Sequence, residues 1–194
     1  MKQVIVITGT PGVGKTSVSK RLAAKLAAFH IDLADLVKRE RLSSGYDKLR
    51  HTVLADIEKL AKRVRQIVEQ SEGPIIIDGH YATSLLSKAK VSKVFVLRCN
   101  PQQLKQQMEE RGFKGPKLWE NLAAEILDVC LYDSIRDVGL EKVCEIDVTN
   151  KAVDETVREI VSILEGQKEH MVGVIDWLGK LEEESILDQY LKEF

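Results

Sequence analysis

Eight residues, GTPGVGKT from Gly9 to Thr16, constrain what this chain can fold into more than any other stretch. An unbroken β-branched run, VIVIT (4–8), leads into them, and SVSKRLAAKLA follows, with Val18, Leu22 and Leu26 recurring at helical spacing. Strand, glycine-rich turn, helix is the context in which this spacing binds phosphate. Successive backbone N–H groups of such a turn point inward at phosphate oxygens, and the helix that follows adds the positive end of its dipole. Gly9, Gly12 and Gly14 are expected to remove side chains that would block that approach. Lys15 is expected to reach the β- and γ-phosphates, Thr16 to offer a hydroxyl to Mg2+, and Ser17 to cap the loop and touch the α-phosphate. The loop therefore predicts a bound nucleoside triphosphate. It leaves open whether the terminal phosphate moves to a second small molecule, goes to water, or is held as a switch.

The rest of the chain alternates. PIIIDGH after Gly73-Pro74, KVFVLRC (93–99) and KVCEIDV (142–148) read as further buried strands. Helices are predicted after residue 30, from Thr52 to Glu69, from Pro101 to Arg111, from Leu118 to Tyr132 and from Val153 to Leu164, with SSGYD (43–47) as a turn. Strands alternating with helices predict an α/β fold, a parallel sheet covered on both faces. From Gly166 the alternation stops, and 166–194 reads as a C-terminal helical appendage to a domain spanning 1–165. No apolar run is long enough to span a bilayer. The N-terminal MKQVIVITG lacks a small-residue cleavage site and reads as a strand rather than a signal peptide, so a cytoplasmic location without membrane contact is expected. A net charge of −1 gives no global field toward nucleic acid. Cys99, Cys130 and Cys144 lack metal-ligand spacing and read as small buried apolar residues.

A triphosphate-binding loop of this kind needs an acidic group at the end of a neighbouring strand to hold the metal through water. Asp78, ending PIIIDGH, is that candidate, on a strand expected beside the first. With Thr16 it makes the expected Mg2+ side of the site. His80 would stand at the same sheet edge as a phosphate-edge or water-orienting group.

GTPGVGKT, then IDLADL, GYD, IIIDGH, VFVLR, ERGF and the run Lys117-Leu118-x-x-Asn121 together resemble the atypical adenylate kinase group. This is the adenylate kinase isoenzyme 6 family that includes the coilin-interacting nuclear ATPase, and the chain resembles an archaeal-like, prokaryotic member of it. The resemblance covers residues 1 to about 165. It implies a P-loop fold with a five-stranded parallel sheet, a monophosphate-binding segment over about 32–54, and a short lid over about 110–120. It implies ATP and Mg2+ as cofactors, AMP as phosphoryl acceptor, adenylate kinase and ATPase activity, and Arg111 as the lid arginine on the nucleotide. It further implies a part in maturing the small ribosomal subunit, through transient binding to a platform ribosomal protein and contact with pre-ribosomal RNA. A small-molecule kinase of the shikimate or dephospho-coenzyme A type is the alternative.

Departures from ordinary adenylate kinases concern charge. Lys38, beside Arg39, stands where an arginine would clamp the monophosphate, and lysine cannot fork onto a phosphate. Asp-Gly-His-Tyr-Ala at 78–82 has no second arginine. Fewer clamps predict a slower transfer between nucleotides, with water as a competing acceptor. Other signals stay open. Arg98 faces the phosphates or makes a surface ion pair. The basic stretch Lys38, Arg39, Arg41, Lys48 and Arg50 clamps a monophosphate, touches RNA, or is a solvated face. Trp119 packs on adenine or in the core, and Thr149 and Asn150 stand where adenine edges are often read. The acidic tail with Trp177 is a packing helix or a site for a basic partner.

Overall fold

The computed structural model describes residues 3–48 and 52–191. Five parallel strands form the central sheet in the order β2-β5-β1-β6-β7, namely Phe29–Asp32, Ile75–Asp78, Val4–Gly9, Lys93–Arg98 and Val143–Asp147. This is the parallel α/β sheet that the alternation predicts and the P-loop fold that the resemblance implies, with β5 directly beside β1 in the register Val6↔Ile77 and Ile7↔Asp78.

Side-chain alternation divides the interior into two layers. Ile5, Ile7, Ile76, Phe95, Leu97 and Ile146 face one side, against α1 (Lys15–Leu26), α4 (Pro101–Glu110), α5 (Pro116–Ile126) and α7 (Val153–Leu164). Val4, Val6, Ile75, Ile77, Val94 and Val96 face the other, against α2 (Leu33–Arg39), α3 (Ile57–Gln70) and α6 (Val129–Val138). Strands buried on both faces must read as unbroken apolar runs, which is why they were legible. Burying each such side chain contributes about 1.5–3 kcal/mol.

Two expectations are overturned. SSGYD is not a turn but strand β3 (Ser43–Asp47), paired antiparallel with β4 (Thr52–Ala55), so the helix expected from Thr52 begins only at Ile57, where Asp56 accepts from the Lys59 N–H at 3.1 Å. The helix expected from Leu118 to Tyr132 is two helices. Asp128 breaks it in the left-handed region, φ 56, and accepts a hydrogen bond from the Arg98 guanidinium.

The C-terminal residues pack on the first layer. α8 (Trp177–Glu183) and α9 (Asp188–Leu191) bring Leu181 and Tyr190 into it, and Trp119 meets the Tyr190 ring edge-on at 6.4 Å. Trp119 thus serves the core, with the Lys105 ammonium 4.9 Å above its ring. Trp177 is buried too, its indole N–H donating to Glu125 at 3.2 Å. Among the described residues no helix is long and apolar enough to cross a membrane.

Candidate active site

The strands end together at one edge of the sheet, and the loop after β1 wraps over that edge. Gly14 opens α1 in the left-handed region at φ 94, a backbone that other residues rarely adopt. Gly9 and Gly12 have a different reason for lacking side chains than phosphate approach. A Cβ on Gly9 would collide with the Leu97 carbonyl oxygen of β6, and one on Gly12 would press on Leu104 and Met108 of α4. The glycines let the loop lie against its own scaffold.

Lys15 folds back over the loop, donating to the carbonyl oxygens of Gly9 at 2.8 Å and Thr10 at 3.0 Å. Burial pushes its ammonium below the ordinary lysine range, while the charges of Asp78 and Glu125 pull the other way. The Thr16 hydroxyl shares its one proton between Asp78 Oδ1 at 3.2 Å and Asp32 Oδ2 at 3.4 Å. Asp32 also caps α2, accepting from the Asp35 N–H at 3.0 Å. A hydroxyl and two carboxylates form a hard oxygen set, which suits Mg2+. His30 of β2 reaches Asp78 Oδ2 at 2.5 Å. Ser17 lines the cleft beside the loop.

That cleft, of about 250 Å3, runs from Gly12 and Gly14 past Val18 to Val148, Lys151 and Val153. Arg111 stands at its rim, at the end of α4, and donates to the Gly12 carbonyl at 3.1 Å. Thr149 and Asn150 do not line it. Thr149 accepts from the Asn100 N–H at 2.8 Å, and the Asn150 N–H donates to Gln103 at 3.0 Å, so both hold the loop after β7 in place.

A second cleft, of about 540 Å3, has His80 and Tyr81 in its wall and Lys38 and Lys117 at its sides. Its apolar surface comes from Val37, Val53 and Ile57. Leu118 is buried in the core, Asn121 donates to the Lys117 carbonyl at 2.6 Å, and Lys117 thereby projects across to the Thr52 hydroxyl at 2.7 Å. Arg39 turns away, toward Asp35 at 3.4 Å, and Arg50 lies outside the described residues. His80 is tied to the loop's strand through the Thr8 hydroxyl, which donates to its carbonyl at 3.3 Å. Although His80 is an exposed residue, desolvation and the nearby Lys15 charge push its pKa down to about 4. That direction favours the neutral imidazole at physiological pH. Gly79 precedes it because a Cβ would collide with Leu33 of α2.

Arg98 neither faces the phosphates nor sits on the surface. It is 1% exposed and bonds Glu125 at 2.9 Å, Glu145 at 2.7 Å and Asp128. Glu145 also accepts from the N–H of Val174 at 3.2 Å, so this buried cluster joins β6, β7, α5 and the C-terminal segment. The cysteines are free, and burial raises all three thiols, Cys99 to about 12, which makes them poor nucleophiles. Cys130 is half-buried and close enough to Lys15 to feel its charge.

Sequence reasoning missed His30, Asp32 and the cleft-facing role of Lys117. The signal was present in HID, ending the strand that pairs with β5, but reading it required the sheet order.

An AAA domain family matches residues 5–128. A Methanocaldococcus jannaschii protein described as "Putative adenylate kinase" is 43% identical over 176 residues, 91% of this chain and 93% of its own length. A Thermococcus kodakarensis protein with the same description is 34% identical over 175 residues, 90% and 92% of the two chains. Among solved structures, a shikimate kinase from Acinetobacter baumannii in complex with shikimate aligns with a TM-score of 0.63 and 15% identity, over 87% of this chain and 96% of that one. At that identity the likeness is one of fold.

Proposed function

The chain belongs to the archaeal-type adenylate kinase family that these relatives represent, and we propose that it transfers the γ-phosphoryl group of ATP to AMP, or to water when AMP is absent. The observation that carries this reading is the pair of clefts beside the loop, one holding Arg111 and the other His80 and two lysines. An ATPase alone needs only the first. The second supplies cations for an acceptor phosphate and an apolar wall for a purine face. That wall suits a nucleotide better than the small hydroxylated acid of a shikimate-type kinase, and no specific observation favours the dephospho-coenzyme A reading.

In this reading the loop N–H groups and Lys15 hold the β- and γ-phosphates. Thr16 and Asp78 hold Mg2+, which when bound neutralises charge on the phosphates. Arg111 swings from the Gly12 carbonyl onto the transferring group. Phosphoryl transfer needs positioning and charge neutralisation rather than covalent chemistry from the protein. Lys38 and Lys117 are point charges on the acceptor side and exclude water less completely than forked arginines would. Neutral His80 can then orient a water. A role in maturing the small ribosomal subunit, with a platform ribosomal protein and pre-ribosomal RNA as transient partners, is supported by the sequence resemblance alone. The cleft-facing Lys38 ties part of the basic stretch to the acceptor rather than to RNA.

His80→Gly should reduce phosphate release from ATP alone while ATP still binds. The His80-dependent part of the rate should be flat from about pH 5.5 to 8, because a group with a pKa near 4 stays neutral as pH falls through that window. Phosphate release and ATP binding are measured for both proteins across that range, with and without AMP. Wild-type hydrolysis by the variant in every condition would make His80 a structural residue.

A further inference from the structure

β2 is an edge strand of the sheet, and a histidine there could be no more than a half-buried packing residue. The register argues otherwise. β2 and β5 run parallel with His30 beside Ile76 and Asp32 beside Asp78. Residues two apart share a face, so His30, Asp32 and Asp78 all lie on the face that carries α1, and Thr16 is in the first turn of α1. His30 sits two residue pairs below Asp78, on the same face, and reaches up to it. Its side chain is 16% exposed and that of Asp78 4%. A carboxylate only accepts, so the contact is a donation from Nε2–H. With Oδ2 held by His30 and Oδ1 accepting from Thr16, the Asp78 carboxylate has lost its freedom to rotate.

We propose that His30 is a positioning residue for the metal side of the site. Its Nε2–H clamps Asp78 Oδ2 and keeps Oδ1 turned toward the Thr16 hydroxyl, so that the oxygens that would hold Mg2+, those of Asp78 through water, are in place before the nucleotide arrives. This rests on the assignment of Asp78 and Thr16 to the metal. Partners that orient a metal-binding carboxylate in this way are worth about 10- to 100-fold in metal affinity.

The experiment compares His30→Leu, His30→Gln and Asp78→Asn with the wild-type chain, each first checked for a cooperative thermal melt. Mn2+ is titrated into each protein in the presence of a non-hydrolysable ATP analogue, and free Mn2+ is read by electron paramagnetic resonance. Binding of the analogue is measured separately with the metal chelated. Asp78→Asn should weaken Mn2+ binding. His30→Leu should weaken it about 10- to 100-fold, with analogue affinity in chelator changed far less, and His30→Gln, which keeps a donor, should recover part of the loss. Wild-type Mn2+ affinity in His30→Leu alongside a weakened Asp78→Asn would overturn the role of His30 and leave the metal assignment standing. Wild-type affinity in Asp78→Asn would remove the metal assignment and the proposal with it. A glutamine variant as weak as the leucine one would trace the loss to packing and likewise overturn the proposal.

Discussion

Lys15→Ala should abolish turnover and leave the fold intact. Lys15 is the cation at the centre of the loop, held by the Gly9 and Thr10 carbonyls at 2.8 and 3.0 Å, where the β- and γ-phosphates are expected. Removing it takes a full positive charge from the place where phosphoryl charge shifts during transfer. A cation so placed is worth at least about 10³-fold in rate, or about 4 kcal/mol of barrier. The fold should tolerate the change, because the glycines seat the loop against β6 and α4 independently of the two hydrogen bonds that the lysine adds. ADP formation and thermal unfolding are the two measurements. A variant that melts like the wild type and still turns over would remove the loop from the active site.

Arg111→Ala should lower the rate by about 10³-fold while changing ATP affinity far less. The arginine is exposed, and among the described residues its guanidinium donates one hydrogen bond, to the Gly12 carbonyl, at the mouth of the first cleft. It is poised over the loop without being needed to shape it. Its planar fork suits a phosphoryl group that spreads charge over several oxygens. The readout is the split between the maximal rate and the ATP dissociation constant. Equal losses in both would make Arg111 a binding group only, and an unchanged rate would place the lid cation elsewhere.

What could be read from the chain was whatever its neighbours in sequence decide. VIVIT, the glycine loop and the Val18-Leu22-Leu26 stripe are local, and so is each apolar run that became a buried strand. The hairpin of Ser43–Asp47 and Thr52–Ala55 was hidden because Ser and Gly favour turns, and only pairing across the loop makes SSGYD a strand. The helix break at Asp128 depends on Arg98, thirty residues away in sequence, which bonds its carboxylate. Arg98 itself was misplaced for the same reason. An arginine at a strand end looks phosphate-facing until Glu125 and Glu145 close around it. Thr16 and Asp78 meet at the strand ends, Lys15 lies close enough to feel the Asp78 charge, and Arg111, placed by resemblance, bonds the loop at Gly12. His30 and Asp32 join them only through the β2-β5 register, which no local pattern encodes.

The central claim is that the terminal phosphate of ATP has two fates, chosen by what occupies the second cleft. It is tested most directly by following the γ-phosphoryl group of isotopically labelled ATP, first with AMP and then without it. Label should appear in newly formed ADP when AMP is present, and as free phosphate when AMP is absent. Free phosphate as the sole labelled product in both cases, at a rate indifferent to AMP, would contradict it.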